Sequence, residues 1–382
     1  MESKPIMQAI QSEKKRLLSL DVFRGITVAA MILVNNPGDW SHIYAPLEHS
    51  DWNGCTPTDL IFPFFLFIVG VSIVYALDNK LSDLKNHNTF ILSISKRAAI
   101  LFGLGLLMFL QPYFDFAHFR IPGVLQRIAI VYFVCALLFL KVKQEKLFTI
   151  FIIILIAYWL MMILIPVPDF GEANLGKETN LGAWLDRFLL TENHLWINSK
   201  TWDPEGILGT LPSIASGLFG ILMGKIFKSK QKTEENKVVW LFVYGFIAFL
   251  FGLAWDLFFP INKSLWTSSY VLYAGGLASI SLALLYWIID VKGFSRFTKP
   301  FVIYGVNAIT VYFVSGVVAR SMNILKVNLD GQVVSWKDYL YLQFYAPNFS
   351  PENASVAWAI SFVLIWFLIL WVMYKKGIVI KV

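Results

Sequence analysis

The sequence predicts an all-α fold: a polytopic integral membrane helix bundle of about ten transmembrane helices, with both termini cytoplasmic. Of the 382 residues, 57% are apolar and only 15% are charged, whereas a soluble domain carries about 25% charged residues. The apolar residues form runs that are long enough to cross a bilayer. Lysine and arginine concentrate in alternate connections between those runs. With two cysteines and abundant aromatic residues, the composition excludes a disulfide scaffold and a disordered chain.

Each transmembrane helix requires about 20 mostly apolar residues. The sixth candidate is the weakest, because glycines and Pro212 interrupt it, but membrane helices tolerate such residues where neighbouring helices satisfy the backbone. The first candidate follows a polar start and has no small-residue cleavage site, so we expect a retained helix. The predicted spans are 18–36, 59–77, 97–111, 121–140, 147–166, 207–227, 238–258, 266–289, 300–322 and 354–374.

The distribution of positive charge predicts the orientation. With the N-terminus in the cytoplasm, 22 of the 32 Lys and Arg residues fall in inner segments, 8 in outer segments and two within spans. This asymmetry follows the positive-inside rule, so the net charge of +7 does not indicate nucleic-acid binding. The predicted layout is a cytoplasmic segment 1–17, a transmembrane domain 18–375 and a cytoplasmic tail 376–382, with outer loops at 37–58, 167–206 and 323–353.

Ionisable residues within predicted spans are costly, and each one requires a partner or a function. Asp21 and Arg24 are three residues apart on the first helix, which is compatible with a local ion pair or with ligand binding. Arg127 has no acidic residue three or four positions away. A distant acid could compensate its charge, and a phosphate-bearing ligand would serve equally well, because guanidinium and phosphate match in a bidentate way.

The loop between the first two spans holds a dense polar group around His49. A histidine is suited to act as a general base near neutral pH, and two helix ends would hold this segment in place. A lone loop histidine is more often passive, and Asp59 by itself could simply cap the second helix. The surrounding polar residues favour chemistry: Asn35, Asp51, Trp52, Asn53, Thr56 and Asp59.

Other candidates lie in later outer segments. Asp203 and Glu205 stand before the sixth span, where they could begin a helix or bind a sugar. Trp52, Trp202 and Trp266 could stack on sugar rings or belong to an interfacial aromatic belt. The five histidines and two cysteines show no metal-ligand spacing, so no metal is expected.

Seven segments, taken in order, resemble the transmembrane acetyltransferases related to heparan-α-glucosaminide N-acetyltransferase, from about residue 16 to the C-terminus. The resemblance implies transfer of acetyl from cytoplasmic acetyl-CoA to the amine of a terminal glucosamine-like sugar on the extracytoplasmic side. It places the family's catalytic histidine at His49, its partner asparagine at Asn35 and its aspartate at Asp59. The segments are 16–25, 34–35, 49–63, 120–127, 203–210, 260–270 and 304–307.

Under this hypothesis His49 acts as the base or as an acetyl carrier. Asp59 or Asp51 would orient its ring, and the Asn35 amide would donate to the oxyanion. The expected cofactor-binding residues are Arg24, Arg97, Gln126, Arg127 and Asn307. The expected substrate-binding residues are Asp51, Trp52, Asn53, Asp203, Glu205, Trp266 and Ser269.

The lysosomal member of the family has an added lumenal domain and a preceding helix. Because the resemblance covers only the core of the family, we expect a bacterial-type homologue in the inner (cytoplasmic) membrane. The expected partners are an amino-sugar or oligosaccharide acceptor and the lipid bilayer, with no nucleic acid, and a homodimer is left open. Two alternatives also stay open: an O-acyltransferase of envelope polysaccharide, and a sugar transporter without acyl transfer.

Overall fold

The computed structural model describes residues 17–81, 86–329 and 331–380, and these ranges contain thirteen α-helices and one β-hairpin. The predicted cytoplasmic segment 1–17 lies outside the described residues except for Leu17. The helices are α1 Leu18–Val34, α2 Ile61–Leu77, α3 His87–Leu110, α4 Val124–Lys141, α5 Lys146–Leu164, α6 Leu181–Leu190, α7 Thr210–Lys228, α8 Glu234–Asp256, α9 Ser268–Tyr286, α10 Lys299–Val306, α11 Ala308–Ile324, α12 Trp336–Phe344 and α13 Pro351–Lys375. The antiparallel strands are β1 Lys326–Leu329 and β2 Gln332–Ser335.

The predicted polytopic helix bundle is confirmed. Within the described ranges, eight helices are long and apolar enough to cross a membrane, and the count rises to nine if the bent pair α10–α11 forms one span. The two helices of that pair meet at an angle of 77°, and α1 is shorter, with 17 residues. The predicted outer loops are more ordered than their sequence suggests, because 167–206 contains α6 and 323–353 contains the hairpin and α12.

The chain divides into two compact units, and the division falls inside α9. The middle unit comprises residues 45–280. The terminal unit comprises the described residues up to Tyr44 and from Ser281 onward. The terminal unit therefore combines residues from both ends of the chain, and these two segments must fold together.

The core of the middle unit is the contact between α2 and α7, where the glycines of the sixth predicted span lie. A Cβ added at Gly70 would lie 2.0 Å from the carbonyl oxygen of Gly217, and one at Gly220 would lie 2.2 Å from that of Phe67. Small residues allow membrane helices to approach this closely. The glycines that interrupt the predicted span therefore form its packing surface. Helix α7 continues past Pro212, which lies in its first turn.

The terminal unit packs α1 against α10 and α13. A Cβ at Gly25 would lie 1.8 Å from the carbonyl oxygen of Phe301, so these two backbones are in direct contact. Asn307, at the bend between α10 and α11, donates from Nδ2 to the Ile378 carbonyl at 3.1 Å and accepts from the Ile380 N–H at 2.9 Å. Its amide therefore holds the end of the chain against the bend.

Candidate active site

In the loop before α2, the His49 side chain contacts Asp59. The His49 Nδ1 atom lies 2.6 Å from Asp59 Oδ1, and the His49 side chain is 46% exposed whereas that of Asp59 is 1% exposed. The other oxygen of Asp59 accepts from the backbone N–H groups of Ser50 at 3.1 Å and Thr56 at 3.0 Å. Asp59 therefore caps the turn Pro57–Leu60 and also contacts the imidazole. Its catalytic role stays a prediction.

This contact determines which nitrogen of His49 can react. Asp59 accepts hydrogen bonds as a carboxylate, so it holds the proton on His49 Nδ1. The lone pair of the neutral ring is then on Nε2. Asp51, the other candidate for this orienting role, is exposed on the same loop. Of the two aspartates, Asp59 is the one in hydrogen-bond contact with the ring.

A lysine that the sequence analysis did not single out completes the group. Lys263 Nζ lies 3.1 Å from His49 Nδ1, 3.3 Å from His49 Nε2 and 3.7 Å from Asp59 Oδ1. Burial lowers the pKa of Lys263 below its usual value, although the negative charges of Glu205 and Asp59 act in the opposite direction. A lysine side chain with a reduced hydration shell therefore lies beside the imidazole.

The position of Lys263 is fixed by two hydrogen bonds between loops, one between backbone groups and one between side chains. The Gly54 N–H donates to the Ile261 carbonyl at 2.7 Å, and Asn262 Nδ2 donates to Asn53 Oδ1 at 3.1 Å. Asn262 also accepts from the Leu265 N–H at 2.8 Å. The predicted substrate residue Asn53 thus joins the two loops in this structure.

Asp203 and Glu205 are both paired with Arg120. Arg120 Nε lies 2.8 Å from Asp203 Oδ2, and its Nη2 lies 2.5 Å from Glu205 Oε2. Burial opposes the charge on Arg120, but Glu205 and Asp203 raise the pKa of Arg120 above its usual value. Burial likewise acts to raise the pKa of Glu205, and Arg120 outweighs it and holds that pKa below the usual value. Arg120 therefore neutralises the Glu205 carboxylate within the protein and forms a second ion pair with Asp203.

Arg127 is almost completely buried in the middle unit. Its Nη2 donates to the Gly206 carbonyl at 2.9 Å, and its guanidinium lies 5.2 Å from the centre of the Trp266 ring. Its Nε and Nη1 atoms have no hydrogen-bond partner among the described residues, and neither does Oε1 of the adjacent Gln126. These orphaned atoms are buried polar groups whose hydrogen bonds are unmade within the described part of the protein.

The remaining predicted residues each make local contacts within their own unit. Trp266 is fully buried and donates from Nε1 to Ser216 Oγ at 3.0 Å, and Ser269 is buried beside Thr267. Arg97 lies over the Tyr132 ring at 5.1 Å. Within the terminal unit, Arg24 pairs with Asp21 at 3.1 Å, Asn35 caps the end of α1, and Asn307 binds the tail. Their predicted roles stay predictions.

Trp52 reaches a different part of the middle unit. Its Nε1 donates to the Leu175 carbonyl at 2.9 Å. Its ring packs edge-on against Trp202, with 5.2 Å between the ring centres. Both tryptophans line a cavity together with the buried carboxyl group of Asp186. The described residues contain no cluster of three or more histidine, cysteine or acidic side chains suited to a metal ion.

Three residues with a place in this site escaped the sequence analysis: Lys263, Arg120 and Asp186. Lys263 lies within the segment 260–270, and Arg120 begins the segment 120–127, so the ordered motifs contained a signal for both. Asp186 lies outside those segments on an amphipathic helix, and an isolated acid in such a pattern carries no local signal of burial.

Comparison with known proteins identifies the family of this chain. A family model described as "Heparan-alpha-glucosaminide N-acetyltransferase, catalytic" matches residues 16–259. Human heparan-alpha-glucosaminide N-acetyltransferase is 30% identical over 419 aligned residues, which cover 96% of this chain and 60% of that protein. The mouse protein of the same name is 30% identical over 424 residues, covering 97% of this chain and 61% of that protein.

This chain therefore spans about three fifths of the length of the curated relatives it matches. The family model covers well over half of the chain and includes His49, Asp59 and the segment 203–210. The chain belongs to the family of the heparan-alpha-glucosaminide N-acetyltransferase catalytic domain.

Proposed function

We propose that this protein transfers an acetyl group from acetyl-CoA to the amine of a glucosamine-like sugar across a membrane. The observation that carries the proposal is the 2.6 Å contact between His49 and Asp59, with the Lys263 ammonium beside the ring. Membership of the family supplies the reaction class. The geometry supports His49 as the base, with Nε2 as the reactive nitrogen.

In the proposed reaction the amine attacks the thioester carbonyl carbon, and His49 Nε2 removes the proton from the amine. Asp59 holds the Nδ1–H and stabilises the imidazolium that forms. The carbon–sulfur bond breaks, and coenzyme A leaves as its thiol after receiving the proton. General base catalysis of this kind is worth about 10²–10⁴ in rate.

Positive charge near the acetyl carbonyl would stabilise the oxyanion. Lys263 is one source, and we propose the N–H groups on the orphaned Nε and Nη1 atoms of Arg127 as a second. Arg127 is the fourth residue of α4, so about 20 Å of helix separates it from Lys141 at the basic end. A contact with the acetyl end therefore suits Arg127 better than a contact with the phosphates.

The two possible roles of Arg127 predict different results for Arg127→Ala. Phosphate binding predicts a raised KM for acetyl-CoA, whereas oxyanion stabilisation predicts a fall in kcat of about 10²–10³ with unchanged acetyl-CoA binding. Steady-state kinetics and calorimetric titration of acetyl-CoA into the folded variant distinguish them. Arg97 and Arg24 then remain the candidates for the phosphate contacts.

A covalent acetyl carrier is a second route through the same site, and His49 is the candidate. Burial raises the pKa of the nearby Cys55 thiol to about 12, so that thiol stays protonated and is a poor nucleophile at neutral pH. Incubation with labelled acetyl-CoA and no acceptor tests the route. Label that stays on the wild-type protein and is absent from His49→Ala supports the carrier, and an unlabelled wild-type protein excludes it.

The experiment that tests the proposed function supplies purified full-length protein with acetyl-CoA and a panel of amino sugars. Release of free thiol that depends on the amino sugar, with an amide product by mass spectrometry, is the expected result. An ester product would instead identify an O-acyltransferase. Sugar uptake into proteoliposomes without acetyl-CoA would identify a transporter.

We also propose that both termini are cytoplasmic and that the His49 loop faces the opposite side, in a bacterial inner membrane. Sealed right-side-out vesicles test the orientation. Acetyl-CoA loaded inside and glucosamine added outside should give N-acetylglucosamine outside. Product that requires both substrates on one side would contradict it.

A further inference from the structure

Lys263 lies where the proposed reaction requires an amine. Its Nζ atom is 3.3 Å from His49 Nε2, the nitrogen that removes the acceptor proton in the proposed mechanism. A general base works within about 2.6–3.2 Å of the atom that carries the proton, and such distances are often longer before the substrate binds. The lysine side chain ends in a primary amine, as an amino sugar does. Lys263 therefore has both the chemistry of an acceptor and a position beside the base.

The backbone of Lys263 is held in a closed turn. The Trp266 N–H donates to the Lys263 carbonyl at 3.0 Å, and the Thr267 N–H donates to the Asn262 carbonyl at 3.1 Å. The Asn262 N–H donates to Thr267 Oγ1 at 3.0 Å. Trp266 has a left-handed φ of 56°, which persists in a non-glycine residue only where the surroundings hold it. The turn therefore fixes the point from which the lysine side chain reaches the imidazole.

The surroundings of Lys263 favour the form of its amine that can react. An ammonium group has no lone pair, so a lysine attacks a carbonyl carbon only after it loses a proton, and desolvation is one way to activate it. The Lys263 side chain is 17% exposed. Burial lowers the pKa of Lys263 below its usual value, although Glu205 and Asp59 act in the opposite direction. The neutral fraction of this amine is therefore larger than that of an exposed lysine at the same pH.

The acetyl carbonyl must also come close to Lys263. In the proposed reaction the acceptor amine is at His49 Nε2, and the thioester carbonyl carbon is within bonding reach of that amine. The His49 side chain is 46% exposed, so substrates have access to its ring. A lysine that is close enough to stabilise the carbonyl oxygen is close enough to attack the carbonyl carbon when neutral. Without a sugar in the site, Lys263 is the amine that remains beside the base.

We propose that Lys263 is a self-acetylation site, at which the protein transfers the acetyl group of acetyl-CoA to its own lysine when no acceptor sugar is bound. The inference rests on the proposed function, because it uses the same base and the same donor. The neutral Nζ attacks the thioester carbonyl carbon. A carbon–nitrogen bond forms and the carbon–sulfur bond breaks. His49 Nε2 takes one proton from Nζ and passes it to the sulfur, so coenzyme A leaves as its thiol and Lys263 carries an amide.

Self-acetylation would reduce the activity of the protein. The amide has no positive charge, so the modified Lys263 no longer stabilises the oxyanion in the proposed reaction. We expect acetyl transfer to the sugar to fall by about tenfold or more in the modified protein. An amino sugar in the site competes with Lys263 for the acetyl group and should protect it. The extent of modification then depends on the ratio of acetyl-CoA to acceptor.

The test is incubation of the purified full-length protein in detergent with isotopically labelled acetyl-CoA and no sugar. Acetylated lysines are then located by digestion and mass spectrometry. We expect the acetyl group on Lys263 in the wild type. Its rate of modification should fall by about 10²-fold or more in His49→Ala, which lacks the base. Saturating glucosamine should suppress the modification in the wild type.

Lys177 and Lys200 are exposed and report the uncatalysed background, so both should be acetylated equally in the wild type and in His49→Ala. Hydroxylamine identifies the linkage, because it removes an acetyl group from an imidazole or a thiol and leaves an amide intact. Label that hydroxylamine removes completely contradicts the inference. An unmodified Lys263 in the wild type, or equal modification of Lys263 in His49→Ala, contradicts it as well.

A second measurement follows activity and does not depend on His49→Ala. Preincubation with acetyl-CoA should lower the activity of the wild type towards glucosamine in step with the occupancy of acetyl on Lys263. Lys263→Arg keeps a positive charge without an acetylatable amine, so it should hold its own starting activity during the preincubation. Lys177→Arg is the matched control and should lose activity as the wild type does. Parallel losses in Lys263→Arg and the wild type overturn the inference.

The self-acetylation and the proposed function fail separately. A protein that acetylates glucosamine and leaves Lys263 unmodified keeps the proposed function and loses the self-acetylation site. A protein that acetylates Lys263 through His49 and acetylates no amino sugar keeps the self-acetylation site and loses the sugar as acceptor. A protein that acetylates neither overturns both proposals.

Discussion

Two buried aspartates of the middle unit show how different surroundings give the same side chain different chemistry. Asp59 receives hydrogen bonds from two backbone N–H groups, contacts His49 and lies near Lys263. Asp186 receives one backbone N–H and has no ion pair among the described residues. A carboxylate with several donors is stabilised in its charged form, whereas burial alone favours the neutral form. The first suits a fixed charge beside a base, whereas the second favours an uncharged carboxyl group.

The largest effect that tests this comparison is the loss of the base itself. His49→Ala should lower kcat for acetyl transfer by about 10²–10⁴, because the amine would lose its proton acceptor. Thiol release with saturating glucosamine measures it. His42→Ala is the control, since His42 also contacts an aspartate, Asp39, at 2.7 Å, but lies in the terminal unit. A His49→Ala variant with wild-type activity would remove His49 from the mechanism.

The next effect concerns the fixed charge on Asp59. Asp59→Asn keeps a side chain of the same shape but removes the charge that holds the His49 Nδ1–H, so kcat should fall by about 10²-fold or more. Asp51→Asn, on the same loop but exposed, should change kcat by less than about twofold. Equal losses in the two variants would mean that the loop as a whole, and not the contact at Asp59, matters.

A third variant moves the Asp186 carboxyl group without changing it. In Gly206→Ala the new Cβ would lie 2.1 Å from Asp186 Oδ2, so the carboxyl group must shift. Overpacking of this kind costs about 1–3 kcal/mol, and thermal unfolding should show this destabilisation.

Gly182→Ala is the control for that variant, because Gly182 lines the same cavity as Gly206 and its nearest contact, Asn180 Oδ1, is 3.1 Å away. It should change the free energy of unfolding by less than Gly206→Ala. A larger loss of stability in Gly182→Ala would contradict the crowding at Asp186.

The last prediction is a pH dependence of stability. Because burial raises the pKa of Asp186 from 3.8 to about 7, its contribution to stability is fully present below about pH 4 and is lost as the pH rises through about 7. The slope for one proton is at most about 1.4 kcal/mol per pH unit. Thermal unfolding between these pH values should show a steeper decline in the wild type than in Asp186→Asn. Parallel curves would contradict the raised pKa.

Much of the fold could be predicted from the sequence, because helix formation in a membrane depends on local composition. All ten predicted spans correspond to helices, with the ninth bent at Asn307 and the sixth continuous despite its glycines. The sequence did not predict that those glycines form the contact between α2 and α7. Such an approach depends on the partner helix, which a local pattern does not specify.

For the candidate site, the sequence identified the residues that carry recognisable chemistry within ordered motifs. It proposed His49 and Asp59, which the structure places in contact, but it left open whether Asp51 or Asp59 orients the ring. It proposed Asp203 and Glu205 as sugar ligands, and the structure pairs both with Arg120.

The sequence by itself thus determined a membrane helix bundle and a histidine-bearing loop, since the length of apolar runs and the chemistry of single residues depend on local sequence. Only the tertiary structure decided which charges compensate one another. Lys263 is 214 positions from His49, and Arg120 is 83 positions from Asp203. Burial and pairing, which set the ionisation of Asp59 and Asp186, arise from contacts between distant segments, and no spacing along the chain encodes them.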